Sequence, residues 1–171
     1  MHKSNYTIRR EEPSDIGAID QVTRDAFASA AYSSGTESFI IKALRASGQL
    51  TVSLVAEEEG RLIGHIAVTP VTISSGGENW FGLGPVSVIP SKQGSGVGSC
   101  LIRTALDVLA ELHAAGCVVL GEPSYYGRFG FRSDPRLQYP HAPAEYFQIR
   151  SFTGKVPEGS VEYHDSFNVT G

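Results

Sequence analysis

The sequence predicts a single α/β domain with a mixed sheet, spanning residues 1–171. Three observations predict this fold class. Two amphipathic helical segments follow a first short strand, three consecutive strands come next, and a long amphipathic helix then leads into a continuous apolar run. Strands joined by short turns pair antiparallel, whereas a strand reached through a helix lies parallel to its partner, so the sheet is mixed. The length suits one hydrophobic core rather than two.

The N-terminal half reads as a strand, two helices and three strands. Residues 6–10 alternate, and a Pro-Ser start signal then precedes an apolar helical face that runs from Ile16 to Phe27. Gly48 ends a second amphipathic helix, and the turn at EEGR separates two antiparallel strands. The fourth strand, WFGLGPVSVIP, is interrupted by glycines and a proline. The bounds predicted after the first helix are 37–47 for the second helix and 51–58, 61–73 and 80–90 for the strands.

The C-terminal half begins with the longest helix, predicted over 96–115. Its apolar residues repeat at helical spacing, and we expect Gly116 to stop it. The apolar run 117–121 predicts a fifth strand, buried on both faces and parallel to the fourth. SYYGRF reads as a short helical or turn segment, and the final strands are predicted within AEYFQIR and SVEYHDSF.

Composition and charge disfavour several classes of partner. The formal charge of -4 argues against nucleic acid, because phosphate binding needs a basic surface. No stretch has the length of a transmembrane helix, and the N-terminus lacks the apolar core of a signal peptide, so we expect a cytoplasmic protein with no membrane partner. Cys100 and Cys117 lie in apolar, periodic surroundings, which indicates reduced thiols rather than a disulfide or a metal pair, and no metal site is predicted.

A glycine-rich turn links the fourth strand to the long helix. In VIPSKQGSGVGSC, residues 88–100, Gly94, Gly96 and Gly98 occupy alternate positions. The first N–H groups of the following helix point into this turn, and glycine lets the backbone approach an oxyanion without a Cβ in the way. Such a turn suits a phosphate or pyrophosphate.

Two common nucleotide motifs do not fit this turn. The dinucleotide fingerprint G-x-G-x-x-G would need a third glycine where Ser99 or Leu101 stands, and Glu111 lies mid-helix rather than at the end of a second strand. The P-loop requires a lysine directly after its glycines, and none follows here. The sequence therefore disfavours ATP and NAD as ligands of the turn.

One family pattern does fit. The stretch V-x-P-x-x-Q-G-x-G-V-G, residues 88–98, resembles the acyl-CoA pyrophosphate loop of the GNAT superfamily of N-acetyltransferases, which has the form Q/R-x-x-G-x-G/A. A second stretch, YYGRFGF, resembles the Y-x-x-x-G-F motif of the family, filled by Tyr126, Gly130 and Phe131. One long helix and one buried strand separate the two motifs, as in the family. LGEPSYYGRFGF and the ending VEYHDSFN are similar to a subgroup of predicted bacterial acetyltransferases whose substrates are mostly unassigned.

The resemblance implies the GNAT fold, a mixed and mostly antiparallel sheet flanked by helices, whose fourth and fifth strands splay around the pantetheine arm of acetyl-CoA. Pro85 cannot donate in a ladder, and Gly82 and Gly84 allow a bulge, so we expect pairing to be given up there. Acetyl-CoA, the implied co-substrate, is expected to contact the fourth strand, the glycine turn and a serine after the fifth strand. These candidate residues are Val86, Ser87, Val88, Gln93, Gly94, Ser95, Gly96, Val97, Gly98 and Ser124.

The resemblance also implies transfer of the acetyl group to a primary amine by direct attack, with Tyr126 as the general acid. A phenol with a pKa of about 10 can protonate the departing CoA thiolate. The neighbouring Tyr125 is the alternative by position, and the motif spacing selects Tyr126. A non-catalytic acyl-CoA-binding regulatory module remains the alternative function, because binding and catalytic residues overlap.

The general base stays open between Glu122, Glu37 and water. Glu122 also reads as a turn residue before a proline, and Glu37 as a capping-box partner of Ser34. His65 faces either the cleft or the core, which alternation alone does not decide.

The acceptor is expected to be a small-molecule or peptide amine. The loop between the first two helices and the irregular segment 132–143 should line its site, with Tyr32, Tyr139 and Tyr146 as candidate aromatic contacts. Whether the protein forms a homodimer is left open by the sequence.

Overall fold

The computed structural model describes residues 5–28 and 35–169. The strands are β1 Tyr6–Arg10, β2 Val52–Glu58, β3 Arg61–Pro70, β4 Thr72–Ile73, β5 Trp80–Val88, β6 Gly116–Leu120, β7 Leu137–Gln138, β8 Phe147–Ser151 and β9 Gly159–Glu162. The helices are α1 Ile16–Phe27, α2 Glu37–Ala46, α3 Val97–Glu111 and the short α4 Pro123–Tyr126. Further 3-10 turns lie at Pro13–Asp15, Pro90–Lys92, Gly127–Phe129, Ala144–Tyr146 and Asp165–Asn168.

A six-stranded sheet in the order β1-β2-β3-β5-β6-β8 forms the centre of the molecule. All neighbours in it are antiparallel except β5 and β6, which are parallel. The parallel pair follows from the chain path, because α3 carries the chain back along the sheet between β5 and β6. A second sheet of three short strands has the order β4-β9-β7.

The helices cover both faces of the large sheet. A Cβ added at Gly64 in β3 would meet Leu101 and Val97 of α3 at 3.0 and 3.1 Å, so α3 lies on the face of Gly64. The next residue, His65, points to the opposite face, where the charge of Arg45 in α2 acts on it. The apolar stripe predicted for the long helix is buried, with Leu101 and other members fully inaccessible. Each such leucine contributes about 2 kcal/mol by burial.

The predicted fold class is confirmed: the sheet is mixed and mostly antiparallel, and the predicted fourth and fifth strands, β5 and β6, diverge. The predicted strand 61–73 is wrong in extent. β3 ends at Pro70, which has no N–H for the ladder, and Thr72 and Ile73 pair instead with Glu162 and Val161 of β9.

Two further boundaries also differ from the prediction. The helix predicted over 96–115 ends at Glu111, because His113 takes a left-handed φ of 60°. Gly116, expected to stop the helix, is the first residue of β6, where its missing side chain makes room for the Trp80 ring. The last predicted strand is limited to β9, and the residues after it form a 3-10 turn.

Candidate active site

The glycine turn has the backbone geometry that the sequence predicts. Gly94 and Gly96 take left-handed φ values of 78° and 92°, which glycine adopts without the strain that a Cβ causes. Gly96 is the N-cap of α3, and the first hydrogen bond of the helix runs from the Cys100 N–H to the Gly96 carbonyl at 3.0 Å. The turn therefore ends with the open N-terminus of a helix, which carries partial positive charge.

The N–H groups from Gly94 to Ser99 have no hydrogen-bond partner among the described residues. Cβ atoms added at Gly94 or Gly96 would meet nothing within 4 Å, so open space lies in front of these donors. A run of free, converging N–H groups at a helix N-terminus binds anions such as phosphate. The turn is therefore a candidate site for a phosphate or pyrophosphate group.

The other candidate residues of the turn have structural contacts. The Gln93 side chain donates to the Val88 carbonyl at 2.9 Å and ties the turn to the end of β5. The Ser95 hydroxyl donates to the Lys92 carbonyl, and the Val97 side chain is buried in the core. Of these three residues, only the backbone N–H groups of Ser95 and Val97 are available for a ligand.

The edge of β5 that faces β6 loses its partner after Gly82. β5 and β6 pair only from Trp80 to Gly82, opposite Gly116 to Val118. β5 nevertheless stays paired with β3 as far as Val88, with a register shift opposite Gly84 and Pro85. The expected bulge and loss of pairing are therefore present, and they open a gap between the two central strands.

Alternation along β5 decides which backbone groups line this gap. The Ile89 N–H donates to the Ile63 carbonyl of β3 at 3.0 Å, so Ile89 and Ser87 direct their backbone groups toward β3. Val86 and Val88 direct theirs to the unpaired edge. Ser87 is consequently an exception among the candidate contacts: its backbone faces β3 and its side chain is buried.

The two tyrosines after β6 point in different directions. The Tyr125 hydroxyl lies 3.5 Å from Ser99 Oγ in the first turn of α3, beside the glycine turn. The Tyr126 ring packs against Gly121, where a Cβ would overlap it, and against Phe131 at a centroid distance of 6.0 Å. Burial raises the pKa of Tyr126 to about 12, and Tyr125 adds to this shift. Tyr126 therefore remains protonated at neutral pH, as a general acid must.

A cleft of about 720 Å³ opens beside the end of the β5–β6 pairing. Gly82, the last paired residue of β5, has no Cβ and so makes room for the Tyr163 ring. Burial raises the pKa of Tyr163, and the nearby phenol of Tyr126 contributes to this rise. Tyr163 thus lies beside the last paired residue of β5, and Tyr126 packs against Gly121, directly after β6. The cleft is lined by Glu37, Ile40, Leu83, Gly84, Pro85, Leu120, Tyr139, His141, Glu162, Tyr163, His164, Asp165, Phe167 and Asn168.

The two candidate carboxylate bases lie in different places, and one of them lines the cleft. Glu37, the first residue of α2, lines the cleft. Glu122 is exposed at the N-cap of α4, where its carbonyl accepts from the Tyr126 N–H at 3.0 Å, and it does not line the cleft. Ser124 is exposed in the same short helix. The capping partner predicted for Glu37, Ser34, lies outside the described residues.

His65 faces the core, on the side of α1 and α2. It is fully buried, and its Nε2 lies 2.8 Å from the Ser53 hydroxyl, which donates to the Glu11 carboxylate. Because the hydroxyl has one hydrogen and the carboxylate only accepts, His65 Nε2 is the donor to Ser53. Burial lowers the pKa of His65 to about 4; the charge of Glu11 raises it and that of Arg45 lowers it. The imidazole is therefore neutral at pH 7.

Of the aromatic residues predicted at the acceptor site, Tyr139 lines the cleft. Tyr146 does not line it, and Tyr32 lies outside the described residues. Most of the charged and aromatic lining was missed by the sequence reasoning. A signal was present in VEYHDSF, which carries two carboxylates, an imidazole and two aromatic rings within seven residues.

Neither a metal centre nor a membrane-spanning helix occurs in the described part of the chain. Within residues 5–28 and 35–169, no three His, Cys, Asp or Glu side chains are grouped so that they could hold a metal ion. None of the helices described there is long and apolar enough to cross a bilayer.

Comparison with known proteins adds independent findings. Residues 7–133 match the family model described as the acetyltransferase (GNAT) domain. The uncharacterized N-acetyltransferase YhbS of Escherichia coli (strain K12) is 36% identical over 169 residues, covering 94% of this chain and 98% of YhbS. A GNAT family acetyltransferase from Brucella melitensis, solved in complex with acetyl-CoA, is 47% identical, with a TM-score of 0.85 and coverage of 95% and 97%. The crystal structure of YhbS in complex with CoA also has a TM-score of 0.85, at 33% identity and coverage of 100% and 98%.

Proposed function

The chain belongs to the GNAT acetyltransferase family, and we propose that it transfers the acetyl group of acetyl-CoA to a primary amine. The observation that carries this proposal is the row of unpaired N–H groups from Gly94 to Ser99, which offers the diphosphate of acetyl-CoA a cradle of main-chain donors. Acetyl-CoA supplies an activated acyl group, its thioester. Every other contribution comes from residues of this chain.

The gap between β5 and β6 leads from the glycine turn toward the cleft. In the proposal, the backbone groups of Val86 and the N–H of Val88 hydrogen-bond the pantetheine arm, since they lie on the unpaired edge of β5, where the Val88 carbonyl already accepts from Gln93. Ser87 takes no part, because its backbone is paired with β3. An N–H group from this edge polarises the thioester carbonyl, as a preorganised donor that needs no reorganisation.

Proton transfers fall to a tyrosine that packs against Gly121, directly after β6, and to a carboxylate that lines the cleft. We assign the general acid to Tyr126, whose raised pKa keeps it protonated, so that it can give its proton to the departing sulfur. The amine must be neutral when it attacks. Glu37 lines the cleft, and we propose that it accepts the proton from the amine, directly or through water.

The test of the cofactor site is Gly96→Ala, with Gly60→Ala as a matched control. Both glycines have a left-handed φ, 92° and 76°, and both face open space, so each substitution costs about 1 kcal/mol of stability through backbone strain. Only Gly96 lies in the turn; Gly60 lies in the hairpin between β2 and β3. We expect the Kd for CoA, measured by calorimetry, to rise tenfold or more in Gly96→Ala and to stay unchanged in Gly60→Ala.

Equal Kd values in the two variants would contradict the proposed diphosphate cradle. Turnover is measured separately, by release of free thiol from acetyl-CoA in the presence of primary amines. CoA binding without thiol release for any amine would favour a regulatory acyl-CoA-binding module instead.

A further inference from the structure

The charges that line the cleft have one sign. Glu37, Glu162 and Asp165 contribute carboxylates, and no described lysine or arginine lines the cleft. Neither Glu162 nor Asp165 forms an ion pair with a described residue. The Glu162 and Asp165 carboxylates therefore lower the local potential, so the cleft attracts cations and repels anions.

An aromatic wall lies in the same cleft. The rings of Tyr139 and Tyr163 meet edge to face at 5.3 Å, and the Phe167 ring lies 5.2 Å from Tyr163. His141 extends this wall at 5.2 Å from Tyr139. Aromatic faces carry negative quadrupole charge and stabilise ammonium groups that lie over them. Rings and carboxylates that line one cleft therefore favour a cationic ligand.

The turn that carries part of this lining is held in place by its own hydrogen bonds. His164 Nδ1 accepts from the Ser166 N–H at 3.1 Å and lies 2.9 Å from the Ser166 hydroxyl. That hydroxyl also lies 3.3 Å from Ser47 Oγ at the end of α2. Asp165 and Phe167 flank Ser166, so both are fixed relative to the helix that begins at the cleft. A preorganised rim of this kind loses little entropy when a ligand binds.

We propose that the acceptor is a small organic dication, a primary amine that carries a second ammonium group a few bonds away. This inference rests on the proposed function and names its substrate class. The reacting amine arrives as an ammonium ion and gives one proton to Glu37, so its own charge accounts for one carboxylate of the cleft and not for Glu162 and Asp165. A second ammonium stays charged throughout and remains bound near Glu162, Asp165 and the aromatic wall. The volume of about 720 Å³ suits a small molecule.

The experiment compares three acceptors that share a four-carbon chain: 1,4-diaminobutane, butylamine and 4-aminobutanoate. Their second ends are an ammonium, a methyl and a carboxylate group, while the reacting amine is the same. With saturating acetyl-CoA, we expect kcat/KM for the diamine to exceed that for butylamine by tenfold or more, and 4-aminobutanoate to be the poorest. The double variant Glu162→Gln, Asp165→Asn should reduce the diamine-to-butylamine ratio about fivefold, since exposed charges act through screened fields. Glu111→Gln, an exposed carboxylate on α3, should leave that ratio unchanged.

Each outcome decides the inference separately from the proposed function. A diamine-to-butylamine ratio of kcat/KM near one, or a ratio that the double variant does not change, overturns the dication inference. Acetylation of any of these amines still supports the proposed acetyltransferase activity. Calorimetry on the CoA-saturated protein gives a second readout that needs no turnover: the diamine must bind tighter than butylamine. A lysine-containing peptide that binds tenfold tighter than the diamine would overturn the assignment to a small molecule.

Discussion

Lowering the pH from 7 to 5 should destabilise this protein through one residue, His65. In the folded state, burial holds the pKa of His65 at about 4, below its usual 6.5. Between these two values the unfolded chain binds a proton at this position and the folded chain does not, so the free energy of unfolding falls as the pH falls. The contribution is fully present above pH 6.5 and is lost as the pH approaches 4. One pKa unit corresponds to 1.36 kcal/mol, which gives a loss of about 2 kcal/mol between pH 7 and 5 and about 3 kcal/mol by pH 4.

The assay is urea unfolding followed by the fluorescence of Trp80, the single tryptophan of the chain, which is buried. The reference is His65→Gln, whose carboxamide Nε2 can donate to Ser53 but does not titrate. We expect the wild-type free energy of unfolding to fall by about 2 kcal/mol more than that of the variant between pH 7 and 5. His141→Gln removes an exposed histidine and should keep the wild-type slope. If the wild-type and His65→Gln curves run parallel over this range, the buried neutral imidazole is not the source of acid sensitivity.

Two substitutions test the placement of the general acid. Tyr126→Phe should lower kcat tenfold or more without changing the Kd for CoA. The control Tyr125→Phe loses only a hydroxyl beside α3 and should retain most of kcat. Equal kcat values for the two variants would contradict the role of Tyr126 as general acid. Because the pKa of Tyr126 is raised to about 12, its deprotonation should cause no loss of kcat in a pH profile between 8 and 10. Gly121→Ala places a methyl group where the Tyr126 ring lies, so it should lower the free energy of unfolding, measured in urea, by about 1–3 kcal/mol and should also lower kcat. The control Gly127→Ala faces open space and should change neither quantity.

The features that the sequence predicts well are those encoded by neighbouring residues. The long helix is marked by its own apolar spacing, and the glycine turn by three glycines within five residues. The divergence of β5 from β6 is also local in origin, because Gly84 and Pro85 interrupt the strand that must diverge. Local signals were sufficient here because the residues that mark each element, the apolar repeat, the glycines and the proline, lie within the element itself.

The cleft was not predicted because its residues meet only in the folded chain. Tyr163 packs on Gly82 from a distance of about 80 residues in sequence, and β4 pairs with β9 over a similar separation. Nothing near Gly82 indicates which ring fills the space above it. From the sequence, Gly82 predicts a bulge; in the structure, its missing side chain also makes room for the ring of Tyr163. A glycine in a strand can therefore mark either a bulge or a place where another side chain packs, and only the tertiary structure distinguishes the two.

The two halves of the site differ in what determines them, and this difference bears on specificity. The proposed cofactor contacts are main-chain donors, the N–H groups from Gly94 to Ser99 and those of Val86 and Val88, and a backbone donor is the same whatever side chain it carries. Substitutions at the glycines of the turn act through φ or through a Cβ that fills the cradle, and those at the three valines act through core packing. The lining of the cleft, in contrast, includes side chains such as Glu162 and Asp165 on a short strand and a 3-10 turn outside the central sheet. Such residues can change without disturbing the central sheet, so the acceptor can differ between proteins that share the same glycine turn.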